Sequence, residues 1–223
     1  MAKHIVEEWQ KAFPDLSTHE KNKFYKIIGP LLVGIELKKL PMSDHYRPYF
    51  VLYGLWPNRN GNDLKASLVG PLLLYEFLDE KGFQYDLTYD PNLIPVAVSN
   101  IKNQILIPLQ GDVKTETILN LVDIVSKRPP LSHAPGSFLY AALQENLFNV
   151  LLYVNKFGAK DLLNKIAEHE WDENHFKLAG RDVYLWLASL RDRIKNRNEF
   201  LEAIDVNRND KKLEKLPFSN LIE

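Results

Sequence analysis

Hydrophobic periodicity changes near residue 92 of this chain, and that change limits the fold more than any single motif. Before it, apolar residues tend to alternate in short runs; after it they recur every three or four residues. Val33, Ile35 and Leu37 alternate with Gly34, Glu36 and Lys38, which predicts a strand over 31–40. Residues 49–56 are rich in Tyr, Phe, Val and Leu and predict a second. The loop PMSDHYRP between them is long enough for an antiparallel hairpin. Residues 64–69 read as a third strand. A fourth is predicted over FQYDLTYD, where Phe83, Tyr85, Leu87 and Tyr89 fall on one face and Gln84, Asp86, Thr88 and Asp90 on the other.

Helices are expected at 4–13, ended by Pro14, and at 17–28, where Ser17 and Glu20 match a capping box. Residues 71–80 carry Pro at the first position and Gly82 just past the end, which reads as a short helix. Further helices are expected at 92–107, 115–127, 137–157, 161–170 and 181–204. The longest clear one, 137–157, has a stripe of Leu139, Leu143, Leu147, Leu151 and Val154. Phe148, Leu151 and Trp186 are therefore expected in the core.

Strands followed by helices, rather than alternating with them, point to the α+β class. The expected architecture is a small antiparallel sheet in the N-terminal part packed against a mostly helical C-terminal half. One domain is expected, with strands in 1–90, helices in 91–206 and a polar tail over 207–223. Leu216, Phe218 and Leu221 would dock that tail, and the bend at 128–136 is the candidate boundary.

Several function classes are excluded at this level. The chain has no cysteine, so disulfides, thiolate nucleophiles and iron–sulfur clusters are out. Its formal net charge of -1 supplies no general attraction to nucleic acid or to an anionic membrane. The first turns are charged, without the apolar core of a signal peptide, and 138–154 is too polar to span a bilayer. The reading is a cytoplasmic protein. Phosphate-binding glycine loops, G-x-S-x-G and HExxH are absent, so Ser132, His133 and Ser137 read as a loop and no cofactor is expected.

Four clusters carry chemistry. His169 and His175, among Glu168, Glu170, Asp172 and Glu173, are the densest potential metal ligands and would suit a metal-dependent hydrolase. On a continuous helix their six-residue spacing is about 600°, which separates the rings. His45, beside Asp44 and Arg47, could do acid–base work or hold a phosphate. Arg191, Arg193, Lys195 and Arg197, with Lys211, Lys212 and Lys215, could follow a nucleic-acid backbone, although Asp192, Glu199 and Glu202 dilute the charge.

The fourth cluster is acidic. Between residues 61 and 126, nine Asp and Glu face only four Lys. Glu76, Asp79, Glu80, Asp86 and Asp90 are interleaved there with Tyr85 and Tyr89. Carboxylates edged by tyrosines suit a basic protein partner, through steering and aromatic anchoring. The expected function is a protein-binding module rather than an enzyme, of the kind an immunity protein or antitoxin performs, masking a basic partner with those seven residues.

Overall fold

The computed structural model describes residues 3–56 and 71–223. The fold is α+β, with a five-stranded antiparallel sheet in the N-terminal part and a mostly helical C-terminal half. The chain divides into two compact units. One comprises residues 1–53, 73–113 and 210–220; the other comprises 54–72, 114–209 and 221–223.

The first unit opens with α1 (Lys3–Ala12). A meander follows, of β1 (Ser17–Glu20), β2 (Lys23–Ile28), β3 (Leu31–Lys39), β4 (Tyr46–Gly54) and β5 (Leu73–Glu76), in that spatial order. The turn from β2 to β3 is Gly29–Pro30, with Gly29 at φ 53°, a conformation glycine adopts without steric cost. Residues 17–28 are therefore a hairpin and not the expected helix. Phe24, Ile27 and Ile28 fit helical and extended spacing equally well. Pairing with β3, as Phe24 to Ile35 and Ile28 to Leu31, decides between them.

Phe24, Lys26 and Ile28 line one sheet face with Leu31, Val33, Ile35 and Leu37, all of them buried. Tyr46, Phe50 and Leu52 of β4 continue that face. Trp9 of α1 packs here, its indole N–H donating to the Tyr46 hydroxyl at 3.1 Å. Residues 71–80 also depart from expectation: β5 pairs Leu73 with Leu52 and Tyr75 with Phe50. The Pro71 and Gly82 cues belong to a strand start and a turn. Residues 83–89 form no regular strand; Tyr46–Leu87 and Leu78–Gln84 are isolated bridges. The strand expected at 64–69 lies outside the described residues.

A single 3₁₀ turn, Pro91–Leu93, leads into α2 (Ile94–Gln104), with Pro95 in its first turn. The unit closes with β6 (Val113–Lys114), where the chain passes into the second unit, and with the returning tail. That tail buries Leu213 and Leu216 and adds β7 (Phe218–Ser219) in parallel to β2, while Phe218 itself stays exposed.

The second unit contains α3 (Thr115–Ser126), α4 (Phe138–Val154), α5 (Lys156–Glu168), α6 (Glu173–Leu178), α7 (Val183–Lys195) and α8 (Arg197–Arg208), followed by the short β8 (Leu221–Ile222). Helix α4 packs against α3 and α5, α5 against α7, and α7 against α8. Asn155 separates α4 from α5, its side chain accepting from the amides of Phe157 and Gly158. The helix expected at 181–204 breaks at Asn196.

The expected stripe on α4 is rotated. Leu139 is exposed and Leu151 half-buried, whereas Ala141, Glu145, Phe148, Asn149 and Leu152 are buried. A helix apolar on most of its surface gives no clear face, and here the deepest positions include polar ones.

Candidate functional site

The seven residues of the acidic cluster all lie in the first unit, on β5 and the loop running from Leu78 to Asp90. That loop is bracketed. The Gln104 side chain of α2 accepts from the Leu78 amide at 3.0 Å and donates to the Leu78 carbonyl at 2.7 Å. Asn100, one turn earlier on α2, donates to the same carbonyl and to the Tyr85 hydroxyl. Tyr85 is buried, and burial raises its hydroxyl pKa. Farther on, Leu87 exchanges both backbone hydrogen bonds with Tyr46. Tyr89 is part-buried, its ring stacked at 6.0 Å on Tyr46.

The carboxylates divide by what they hold. Asp79 Oδ1 accepts from the amides of Lys81 and Phe83, and Gly82 sits in that turn at φ 82°. Asp90 Oδ1 accepts from the Asn92 amide and side chain. Both therefore shape the loop. Glu76 receives the Tyr49 hydroxyl at 2.9 Å, Gln84 Nε2 at 2.7 Å and Arg47 Nη1 at 3.5 Å. His45 Nδ1 lies 2.6 Å from Asp86 Oδ1. Glu80 is exposed and makes no hydrogen bond or ion pair among the described residues. Two clusters that are separate in sequence thus meet, because His45 and Arg47 contact Asp86 and Glu76. Asp44 is exposed.

Phe83 corrects the sequence reading most sharply. The alternation placed it inward with Tyr85 and Leu87, yet it is 68% exposed. The Asp79 turn ends at Phe83, so the strand period begins only after it. Val96 and Leu93, at the start of α2, are 64% and 42% exposed. Val96 lies one helical turn before Asn100, on the side that brackets the loop. Exposed Phe83 thus shares its loop with the exposed carboxylates of Glu80, Asp86 and Asp90, and exposed Leu93 and Val96 follow that loop in the chain.

The face of the sheet opposite Trp9 carries a carboxylate that sequence reasoning missed. Glu36 of β3 is buried, and the hydroxyls of Tyr25 and Tyr53 both donate to its Oε1, the latter at 3.0 Å. Burial, then the neighbouring carboxylate, pushes the Tyr25 hydroxyl far up. The same causes raise Tyr53 to about 12. These tyrosines keep their protons near neutrality, so the cluster offers neither a tyrosinate base nor a nucleophile. The alternation puts Glu36 with Gly34 and Lys38, opposite the apolar Val33, Ile35 and Leu37, so no local cue marked it as buried.

The His169–His175 cluster and the Arg191–Arg197 stripe lie in the second unit, whereas Lys211, Lys212 and Lys215 of the tail lie in the first. His169 Nε2 donates to the Pro135 carbonyl at 2.9 Å, and its ring packs 4.4 Å from Trp171. His175, on α6, accepts the Phe138 amide at Nδ1. Among the described residues no group of three His, Asp or Glu is placed to hold a metal ion. Arg193 turns inward to Glu145 and Asn149, and Arg197 donates to the Leu152 and Tyr153 carbonyls at the end of α4. Lys195 pairs with Asp192. The basic stripe therefore loses two of its four cations to internal contacts. Among the described residues no helix is long and apolar enough to cross a membrane.

Comparison with protein-family models, curated proteins and solved structures returned no match.

Proposed function

We propose that the chain is a protein-binding module whose recognition surface is the 78–90 loop with the start of α2. The observation that carries this reading is the exposure of Phe83 on the same loop as the exposed carboxylates of Glu80, Asp86 and Asp90, with exposed Leu93 and Val96 following it in the chain. An exposed aromatic on a loop where Asp79, Glu80, Asp86 and Asp90 outnumber its one lysine, Lys81, suits a partner with an apolar patch flanked by positive charge. The partner is therefore a basic protein. The bracketing by Asn100 and Gln104 supports it further, because a loop held before contact loses little entropy on binding. Masking of a basic toxin or enzyme, as an immunity protein or antitoxin performs it, is the biological role this chemistry fits.

The test is capture from an extract of the source cells, with the double variant Glu80→Lys, Phe83→Ser as control. Wild type should retain a protein of net positive charge, with binding weakened by salt. The variant should lose it while keeping the wild-type unfolding midpoint, since both side chains face water. Retention of the same proteins by both, or of no basic protein by either, contradicts the proposal.

A further inference from the structure

The 78–90 loop is clasped from β4 by an imidazole. Leu87 exchanges backbone hydrogen bonds with Tyr46, which sets Asp86 across from Arg47 and diagonal to His45. His45 Nδ1 lies 2.6 Å from Asp86 Oδ1, and the two side chains are 39% and 56% exposed. The ring is placed by its own backbone. The His45 amide donates to Ser43 Oγ at 3.2 Å, and its carbonyl accepts from the Leu40 amide at 2.9 Å. A proton from solvent therefore reaches a ring already in contact with the carboxylate.

The other charged groups around the ring are engaged elsewhere or face water. Arg47 contacts Glu76 and Gln84. Lys38 of β3 sits over the Tyr49 ring, 4.7 Å from its centre. Lys39 and Asp44 are exposed. A second imidazole, His4 of α1, contacts the Tyr89 carbonyl at the far end of the loop. Residues 78–90 carry four carboxylates against one lysine, a net charge of -3. A neutral imidazole with its proton on Nδ1 donates to Asp86 as well as a charged one does, so the contact exists in both states. Protonation makes it charge-assisted and sets a full positive charge against one of those four carboxylates.

We propose that His45 makes the recognition loop pH-sensitive. Protonated, it clasps Asp86 and offsets about a third of the loop's net charge; neutral, it leaves that charge to a basic partner. The inference rests on the reading of this loop as the recognition surface. An imidazole changes charge between about pH 8 and pH 5. Attraction to a basic partner is therefore full at the upper end of that range and weakened at the lower end.

The probe is the peptide acetyl-Lys-Lys-Leu-Phe-Lys-Lys-amide, whose charge is constant over this range. It is titrated into isotope-labelled full-length protein at low ionic strength, at about pH 5.5 and about pH 8. At the higher pH it should shift the amide resonances of Phe83 and Asp86, and at the lower pH bind about threefold more weakly. His45→Gln, with a wild-type unfolding midpoint, should bring the ratio close to one, whereas His4→Gln should keep it. Without peptide, the Asp86 and Leu87 amides of the wild type should move with the His45 ring signals as pH changes. Equal wild-type binding at both pH values overturns the inference and leaves the recognition surface standing. An undiminished ratio in His45→Gln, or Asp86 and Leu87 amides that ignore the His45 ring, does the same. A peptide that shifts no loop amide at either pH overturns the recognition surface, and the inference with it.

Discussion

Removing either end of the buried ion pair in the second unit should destabilise the protein far more than truncating Leu139 or Leu151 on the stripe that the sequence singles out. Glu145 of α4 is 2% exposed. It accepts from the Trp186 indole at 2.8 Å and from Arg193 Nη1 at 3.1 Å, and Arg193 also donates to Asn149 Oδ1. Loss of one partner from a buried pair costs about 3–5 kcal/mol, because the other charge stays desolvated. The side chains differ in reach. The Arg193 side chain is 18% exposed and that of Glu145 only 2%, so Arg193 can recover some hydration and Glu145 cannot. Arg193→Met should therefore fall near 4 kcal/mol and Glu145→Leu near 3 kcal/mol, as order-of-magnitude values. The Glu145 substitution also strands the Trp186 N–H, a cost of about 1–3 kcal/mol already counted in that figure. Together the two substitutions should cost at least ~2 kcal/mol less than their sum, since neither charge is then left behind. Urea unfolding followed by circular dichroism, over all four corners of the cycle, measures this. Single substitutions below about 1 kcal/mol, or additivity within about 0.5 kcal/mol, would refute the reasoning.

Two further outcomes follow from burial and from the tyrosine cluster. Phe148→Ala should cost about 3–5 kcal/mol and Leu151→Ala nearer 1 kcal/mol, since Leu151 is only half-buried; equal costs, read from the same urea curves, would contradict the rotated face of α4. Tyr25 and Tyr53 hold their protons more tightly folded than unfolded. Their contribution is whole below the unfolded value of about 10 and is lost as pH rises past it. Lys26, lowered by burial, acts in the opposite sense, adding stability as pH rises toward its unfolded value of about 10.4. Above that value stability should fall, and Tyr25→Phe with Tyr53→Phe should flatten the fall; unfolding midpoints between pH 8 and 12 test this, and an unchanged slope would count against the cluster.

The α+β class was legible because the change of period near residue 92 follows from what each element buries. Strands β3 and β4, and helices α1, α2, α3 and α4, lie close to where alternation and helical spacing place them. Two of the errors share one cause. Residues 17–28 and 71–80 carry local helix signals, yet strand pairing to β3 and β4 overrides them. The rotation of α4 has a related source, since the Glu145–Arg193 contact joins α4 to α7 across 48 residues.

The candidate surface was legible in part. Charge counting found the acidic region, but it could not tell Asp79 and Asp90, which close turns, from Glu80, which makes no hydrogen bond or ion pair among the described residues. Nor could it reveal that His45 and Arg47 fold back onto Asp86 and Glu76. Phe83 was misplaced because a period of two says nothing about where a strand starts.

The measurement that tests the central claim most directly is site-specific photo-crosslinking. A benzophenone side chain at position 83 is compared with one at Phe157, which is 75% exposed on α5. At low ionic strength in an extract of the source cells, position 83 should give a crosslink to a protein of net positive charge, which high salt suppresses and position 157 does not give. The same products from both positions, or none of net positive charge from position 83, would contradict the binding account.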